Sequence, residues 1–355
     1  MRDQARRLLP IASFAGGFLW DSLTLRRIDR LSDNLLLATY LALLGALIVV
    51  AARVARDPEQ WPRLAPRAPW LGWGTQFLFG GLYSAYVIFY FKSTQWGSTL
   101  LFVFILGALL VLNEFAAHHF RYDRVRIALY CACVFSFLLF FIPVISGWPG
   151  PGLFSVAAVL ALAVSSVVTW LAHVTPAEPP RAVLTRHLVP AAGVLVALAL
   201  LDAVGLIPPV PLALMDGGIY HSVTGTPNGY QLVYEQPPWY LPLRNDDRWF
   251  RYRPGDKVTC FTAIFAPSGM DLGITHVWEH WDAEAGWART DAIPFDVSGG
   301  RDGGYRGFTS KRHFEPGAWR VRVVEQTGRE LGRYAFTVDP GPWQAPPQLT
   351  SRRYR

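Results

Sequence analysis

The feature that most constrains this chain is a series of long apolar runs, all of which lie before residue 208. Each run holds about 18 to 22 residues, which is the length that a helix needs to cross a bilayer core of about 30 Å. We therefore expect an α-helical membrane bundle of about seven transmembrane helices. The predicted spans are Leu8–Leu25, Leu35–Ala52, Trp70–Phe91, Trp96–Asn113, Ile127–Trp148, Leu153–Ala172 and Leu188–Ile207.

Composition and charge agree with a membrane-embedded first half. Apolar residues make up 52% of the chain, which is more than an ordinary soluble enzyme carries. Of the net charge of +7, residues 1–207 contribute +6 and the rest is nearly neutral. Basicity confined to the apolar half is typical of membrane topology, so the expected partner is the lipid bilayer and no nucleic acid is expected.

The basic residues between the predicted spans also predict an orientation. With seven spans and a cytoplasmic N-terminus, twelve basic residues fall in inner segments and four in outer loops. This is the asymmetry of the positive-inside rule. It predicts that the C-terminal region lies outside the cytoplasm.

The segment 208–221 separates the two kinds of sequence. Prolines at positions 208, 209 and 211 prevent a helix from continuing through it, and Gly217 and Gly218 allow a sharp change of direction. We therefore divide the chain into a helical domain (1–207), a collar (208–221), a β domain (222–340) and a basic, disordered tail (341–355).

Short runs with alternating apolar and polar residues follow the collar. The clearest is Lys257–Phe265, which comes directly after the turn at Pro254-Gly255. The other predicted strands are Gln231–Tyr234, Ile274–Trp281, Tyr305–Arg312, Trp319–Glu325 and Leu331–Val338. Strands at this spacing, with almost no helical periodicity, predict an all-β, immunoglobulin-like sandwich.

One predicted strand carries a possible ligand-binding face. Its alternation places His276, Trp278 and His280 on one side, followed by Asp282. Such a face could bind zinc, with His221 or His313 as a third ligand, or stack a sugar ring on the indole. The alternative is a packed tryptophan flanked by hydrogen-bonded histidines, which the sequence favours.

A second candidate is the glycine-rich loop at residues 299–307, G-G-R-D-G-G-Y-R-G. Backbone amides and the guanidinium groups of Arg301 and Arg306 could bind a phosphate or carboxylate, with Asp302 and Tyr305 beside them. The alternative is a tight connection between strands, and the two hypotheses are about equal.

Polar residues inside the predicted spans are a third set. Asp21 and Asp202 lie near outer helix ends, where they could form a cation site or simply be solvated at headgroup depth. Glu114 and His118 lie on one helix face, but two ligands make an incomplete metal site.

Nothing in the sequence marks an enzyme. No nucleophile–base–acid set stands out, and the three cysteines form neither a C-x-x-C pattern nor a disulfide framework in the second half. We therefore expect no catalytic residues, no cofactor and no bound metal.

Several segments resemble a bacterial multi-pass membrane family with a C-terminal domain of unknown function 2914. They are F-A-G-G-F-L-W-D-S-L-T-L-R-R-I-D-R-L-S-D-N (Phe14 to Asn34), I-P-P-V-P-L with G-I-Y-H-S-V, R-Y-R-P-G-D-K-V-T-C-F-T, the glycine-rich loop, and G-A-W-R-V-R-V-V-E-Q-T-G-R-E-L-G-R-Y-A-F-T-V. The resemblance implies an inner-membrane protein of a Gram-negative-type bacterium with a periplasmic β domain. It implies no reaction.

The leading hypothesis is therefore a non-enzymatic protein whose β domain binds an envelope protein, a glycan or an anionic ligand. One alternative is a transporter or intramembrane enzyme that uses Asp21 and Asp202, with the β domain as an accessory. Another is a metal-dependent hydrolase built on His221, His276 and His280.

Overall fold

The structure, a computed structural model, describes most of the chain. The described residues are 31–92, 104–105, 107–108, 123–147, 152–204, 206–207, 212–241, 244–253, 255–301, 304–341 and 346–354. The chain divides into two compact units between Pro211 and Leu212, inside the predicted collar. The described part of the first unit is helical and that of the second is rich in β-strands, so the predicted order of the two regions is confirmed.

The described part of the helical unit contains five long helices. They are α1 (Leu31–Arg56), α2 (Ala68–Lys92), α3 (Asp123–Ser146), α4 (Leu153–His173) and α5 (Pro180–Ala203). Of these, α1, α3, α4 and α5 are long and apolar enough to cross a membrane by length and composition. The predicted spans Leu8–Leu25 and Trp96–Asn113 fall wholly or largely outside the described residues. The described helices therefore support four spans and not the predicted seven.

Helix α4 shows how these helices pack. Residues four apart share a helix face, and on α4 the buried face is made of small side chains. These are Ala157, Ala161, Ser165 and Thr169. The opposite, exposed face is apolar and includes Val156, Val159, Leu160 and Val167. Small residues inside and large apolar residues outside are typical of helices that pack against one another in lipid.

The β unit has eleven described strands. They are β1 (Ala213–Tyr220), β2 (Ser222–Thr226), β3 (Gly229–Glu235), β4 (Trp249–Arg251), β5 (Val258–Phe265), β6 (Asp271–Asp282), β7 (Gly286–Ser298), β8 (Tyr305–Lys311), β9 (Gly317–Glu325), β10 (Glu330–Asp339) and β11 (Leu349–Tyr354). They form a large sheet (β4-β10-β9-β6-β7), a middle sheet (β1-β5-β8) and a small sheet (β11-β3-β2). All described pairings are antiparallel except that of β4 with β10.

Strand β5 is buried along its whole length, with both faces covered. Its residues Val258, Cys260 and Ile264 pack in the clusters that include the large sheet. The alternate residues Phe261 and Ala263 pack against Leu232 of the small sheet. The unit therefore has three layers with the middle sheet between the other two. A two-layer, immunoglobulin-like sandwich was predicted, and the structure does not confirm the immunoglobulin-like part.

Two strands lie in segments that were predicted to have none, β1 of the middle sheet and β11 of the small sheet. Residues 213–220, assigned to the collar, form β1 and pair with β5 from Ala213 to Tyr220. The tail at 341–355 is not disordered throughout, because β11 pairs with β3 from Leu349 to Tyr354. Its inward-facing Tyr354 packs on Phe261, with ring centroids 5.5 Å apart, and this apolar contact orders the strand.

The six strands predicted from alternation are all present, and a turn at residues 283–285 joins β6 to β7 as a hairpin. The strand at residues 319–325 buries alternate residues, which leaves two arginines on its outer, basic face. Its outer arginines, Arg320 and Arg322, both bind Glu279, so the basic face is largely neutralised.

Arg352 provides a test of whether β11 is an integral strand. Its guanidinium donates to both carboxylate oxygens of Asp216, at 2.7 and 2.9 Å, and to the Tyr220 hydroxyl at 2.6 Å. We expect Arg352→Met to lower the free energy of unfolding of the β unit by about 2 kcal/mol or more, because Asp216 is left half-buried without its partner. Thermal and denaturant unfolding of the full chain in detergent measures this.

The matched control is Arg353→Met, which changes an exposed neighbour on the opposite face of β11. We expect it to change stability by less than about 0.5 kcal/mol. Equal effects of the two substitutions would contradict the docking of β11 through Arg352.

Candidate functional site

The predicted histidine–tryptophan face is mostly core. His276 and Trp278 are both 0% exposed. His276 Nε2 lies 3.1 Å from Thr262 Oγ1, its Nδ1 lies 2.9 Å from Thr309 Oγ1, and the Trp278 indole N–H donates to that same hydroxyl at 3.2 Å. Burial lowers the pKa of His276 to about 3, so the ring is neutral. These side chains tie the large sheet to the middle sheet and present no surface to a ligand.

His280 differs from its two neighbours on β6 because it is only partly buried. Its ring packs on Trp319 at a centroid distance of 4.7 Å, and Nε2 lies 3.2 Å from the carbonyl oxygen of Pro316. Nδ1 lies 3.5 Å from the carboxylate of the exposed Glu315. The ring is therefore held by the chain itself, as the alternative interpretation predicted.

The four histidines considered as zinc ligands do not form a site. His221 stacks on Phe250, whereas His276 and His280 have the separate partners described above. Within the ranges that the structure describes, no three histidine, cysteine or acidic side chains are grouped so that they could hold a metal ion.

The glycine-rich loop uses its amides internally. The N–H of Gly299 donates to Met270, that of Gly300 to Ala266 and that of Gly304 to Arg301, at 2.8 to 3.1 Å. A Cβ added to Gly299 would lie 1.8 Å from the carbonyl oxygen of Pro267, so no other residue fits there. These three amides are not available to an anion, and the glycines are explained by a tight strand connection.

The arginines of this loop do not share one surface. Arg301 lies over the Tyr305 ring at 5.6 Å, and Tyr305 packs against the core between the middle and large sheets. Arg306 is the next residue on β8 and so points to the opposite face. There it lies 5.7 Å from the ring centroid of Tyr354, on the side of the small sheet. Asp302 lies outside the described residues.

On that side, three strands bring together a group that we call the arginine–tyrosine cluster. It consists of Asp216 and Tyr220 of β1, Arg306 of β8, and Arg352 and Tyr354 of β11. Arg352 and Tyr354 share a face of β11 because they are two residues apart. Arg352 is bound to Asp216 and Tyr220, while Arg306 lies over Tyr354.

The protonation states of the cluster are fixed near neutral pH. Burial raises the pKa of Tyr220 and of Tyr354, so both phenols stay protonated. Burial alone would lower the pKa of Arg352, but its hydrogen bonds to Asp216 and Tyr220 outweigh this and raise it. The cluster therefore carries two permanent positive charges and one carboxylate that is already bound.

Arg306 differs from four other half-buried arginines of the β unit, each of which pairs with a carboxylate. Arg251 pairs with Glu235, Arg320 and Arg322 with Glu279, and Arg352 with Asp216. Arg306 has no carboxylate within ion-pair distance among the described residues, and its buried Nε, like that of Arg352, has no hydrogen-bond partner there. A partly desolvated guanidinium in this position favours an external anion.

A second polar group, Asp247 with His221, was missed as a pair by sequence reasoning. Asp247 is 0% exposed, and its Oδ1 accepts the N–H of Glu235 at 2.8 Å. Its Oδ2 lies 3.8 Å from His221 Nε2, which is too long for a hydrogen bond. Burial raises the pKa of Asp247 to about 7, and burial lowers the pKa of His221. Neither group therefore carries a full charge near neutral pH.

The intramembrane candidates are mostly outside the described residues, which include neither Asp21 nor Glu114 nor His118. Asp202 lies in the last turn of α5. The proposed pair of aspartates therefore stays a prediction.

Of the arginine–tyrosine cluster, sequence reasoning named only Arg306 and missed the other four residues, of which Tyr220 was assigned to the collar. Arg352 and Tyr354 were assigned to a disordered tail, although L-T-S-R-R-Y alternates as a strand does. Asp216 was assigned to the collar, and only the pairing of β1 with β5 places it opposite β11.

Comparison with known families adds one match. A family model described as "Protein of unknown function (DUF2914)" matches residues 272–338, from the start of β6 to the end of β10. This confirms the resemblance over the glycine-rich loop and the strands that follow it. The match does not extend to Phe14–Asn34 or to the collar, and it shows neither a membrane context nor a bacterial origin.

No curated protein matches the chain. Among solved structures, it is similar to a β-glucosidase from Listeria innocua in complex with glucose, at 11% identity and a TM-score of 0.19 over 26% of this chain. The matched part spans only 15% of that enzyme. It is also similar to the Pseudomonas fluorescens alkylpurine DNA glycosylase AlkC bound to DNA containing an abasic site analog, at 11% identity and a TM-score of 0.23, over 85% of this chain and 97% of that one. TM-scores this low carry no argument about fold or function.

The raised pKa of Asp247 predicts a pH-dependent stability. The folded state keeps a proton that the unfolded state releases above about pH 4, so raising the pH from about 4 to about 7 costs stability, by up to about 4 kcal/mol. Asp247→Asn imitates the protonated acid and keeps the acceptor for Glu235. We expect this variant to exceed the melting temperature of the wild type by a small margin at pH 5 and by a larger margin at pH 8.

The control for this comparison is Asp271→Asn, which neutralises an exposed aspartate of β6. It should leave the difference in melting temperature between pH 5 and pH 8 unchanged. If the difference in melting temperature between pH 5 and pH 8 is the same for the wild type and for Asp247→Asn, Asp247 is already ionised in the folded protein at pH 5, and the prediction is wrong.

Proposed function

We propose that this chain is a bacterial inner-membrane protein whose β unit lies in the periplasm and binds an anionic envelope ligand at the arginine–tyrosine cluster. The ligand contact is Arg306, with Tyr354 beneath it. The ligand carries a carboxylate or a phosphate group, either free or as part of an envelope glycan or protein.

The observation that carries the proposal is the half-buried guanidinium of Arg306, which lacks an acidic partner among the described residues. Removing a charged group from water costs free energy unless an opposite charge replaces the lost hydration. The guanidinium fork can donate two parallel hydrogen bonds to a carboxylate or phosphate. The Tyr354 ring contacts one side of the Arg306 guanidinium by a cation–π interaction. This contact keeps the guanidinium in position when no ligand is bound.

The chemistry of the cluster supports binding and not catalysis. Its two tyrosines stay protonated, its arginines stay charged, and its carboxylate is held in a bidentate ion pair. A general acid or base needs a pKa near the working pH. None of the groups with raised pKa values in the cluster meets that requirement.

The helical unit supports the membrane location. Four described helices have the length and composition of spans, and α4 turns large apolar side chains outward. The periplasmic location rests on the seven spans predicted from the sequence, two of which lie wholly or largely outside the described residues. The arginines between those spans favour a cytoplasmic N-terminus, and an odd number of spans then puts the β unit on the other side.

The test is anion-dependent stabilisation of the full chain in nanodiscs of neutral lipid. Melting temperature is measured with succinate or inorganic phosphate against chloride at constant ionic strength. A ligand at about 100 times its dissociation constant adds about 2.7 kcal/mol, so we expect the wild type to gain about 3 °C or more from one of these anions. Arg306→Gln should lose that gain because the fork is removed.

Arg312→Gln is the matched control, since Arg312 is an exposed arginine close in sequence but outside the cluster. It should respond to the anion as the wild type does. The proposal is wrong if the wild type gains nothing from either anion, or if Arg306→Gln gains as much as Arg312→Gln.

A further inference from the structure

The helical unit contains a cavity that the proposed function does not use. It has a volume of about 970 Å³ and lies where α1 and α4 end and α3 and α5 begin. Cavities of this size hold small ligands or lipid headgroups. The residues that line it and carry the argument are Arg56, Arg124, Arg186, His173, His187 and Glu178.

The carboxylates that line the cavity are already paired with arginines, whereas two of the lining arginines have no acidic partner among the described residues. Of its carboxylates, Glu178 pairs with Arg186 at 3.3 Å, and Asp123 pairs with Arg126, which does not line the cavity, at 3.6 Å. Arg124 makes no ion pair or hydrogen bond with any described residue. Arg56 donates to the carbonyl oxygen of Ala172 at 2.6 Å, a neutral acceptor that leaves its charge unbalanced.

Two imidazoles complete the polar part of the wall. His173 and His187 stack almost parallel, with centroids 4.3 Å apart and an angle of 13° between the rings. His187 Nδ1 donates to the Val183 carbonyl oxygen at 2.9 Å, which leaves its Nε2 as an acceptor while the ring is neutral. His173 Nε2 is buried and has no hydrogen-bond partner among the described residues. A buried nitrogen without a partner costs free energy, so this atom also needs a ligand or water.

The wall is apolar on its other parts, where Val125, Val183 and Pro190 line the cavity. Arginines are concentrated near the ends of the helices that meet here. Arg53, Arg56, Arg124, Arg126 and Arg181 lie in first or last turns, and Arg186 lies in the second turn of α5. A wall with basic and apolar parts suits an anion that carries a hydrocarbon portion. Helix ends rich in arginine are the ends that meet anionic lipid headgroups.

We propose that this cavity binds a phosphate group, which is either the headgroup of an anionic lipid or free inorganic phosphate, through Arg124 and Arg56. A divalent metal is the weaker candidate, because no three potential ligands are grouped for it among the described residues. The proposal concerns the helical unit alone and does not depend on ligand binding by the β unit.

The test uses the full chain purified in a neutral detergent. Native mass spectrometry measures the retention of added phosphatidylglycerol against phosphatidylcholine, and thermal unfolding measures stabilisation by inorganic phosphate. A charge-assisted hydrogen bond contributes enough that Arg124→Gln should weaken binding about tenfold. Arg124 is exposed and has no partner in the fold, so this variant should fold and melt as the wild type does.

Arg181→Gln is the matched control, because Arg181 is an exposed arginine near the start of α5 that does not line the cavity. Loss of phosphatidylglycerol binding in Arg124→Gln alone identifies a lipid headgroup, and loss of phosphate stabilisation in Arg124→Gln alone identifies free phosphate. The proposal is overturned if the two variants bind equally, if the wild type binds neither ligand, or if it retains phosphatidylcholine as well as phosphatidylglycerol.

Discussion

The β unit depends on one strand that has no solvent-facing side. Every residue of β5 is buried, so each face of the middle sheet must be covered by another sheet. The large sheet covers one face through the clusters around Trp278 and Ile274, and the small sheet covers the other through Leu232. The polar residues of β5 also form hydrogen bonds within the β unit: Thr262 with His276, and Thr259 with Ser310. Because β5 is buried on both faces, the unit needs a third layer of sheet.

The third layer creates the place where the candidate ligand site forms. Strand β11 brings Arg352 and Tyr354 against β1 and β8, on the face of the middle sheet that the small sheet covers. Arg352 binds Asp216 there and is structural, whereas Arg306 contacts the Tyr354 ring and has no carboxylate partner among the described residues. The same packing that fixes the fold thus leaves the charge of Arg306 without a described acidic partner. In the helical unit, arginines without an acidic partner likewise line the cavity. In both units, therefore, we interpret arginines paired with a carboxylate as structural and the unpaired ones as candidate binding residues.

Sequence patterns predicted what depends on local periodicity. The apolar runs predicted the described helices, and alternation predicted the six central strands. Strand β1, assigned to the collar, and the short, half-polar strands β2, β4 and β11 were missed, although L-T-S-R-R-Y does alternate. The site was predicted only at Arg306. The sequence placed Arg301 and Arg306 in one group, but Arg301 lies over Tyr305, whereas Arg306, the next residue on β8, faces the opposite side of the sheet. The contact of Arg352 with Asp216 joins residues 136 positions apart, and no local pattern reports such a pairing.

The most direct test of this account is amide hydrogen exchange of the full chain in nanodiscs, compared with a variant that ends at Gly341 and so lacks β11. Slow exchange reports amides that open only with the cooperative unit that contains them. In the intact protein, we predict that the amides of β5 (Val258–Phe265) are among the slowest of the β unit. Without β11, the Tyr354 contact with Phe261 is lost and exchange in β5 should accelerate by at least about tenfold. If β5 exchanges equally slowly in both proteins, the three-layer account of the fold is wrong.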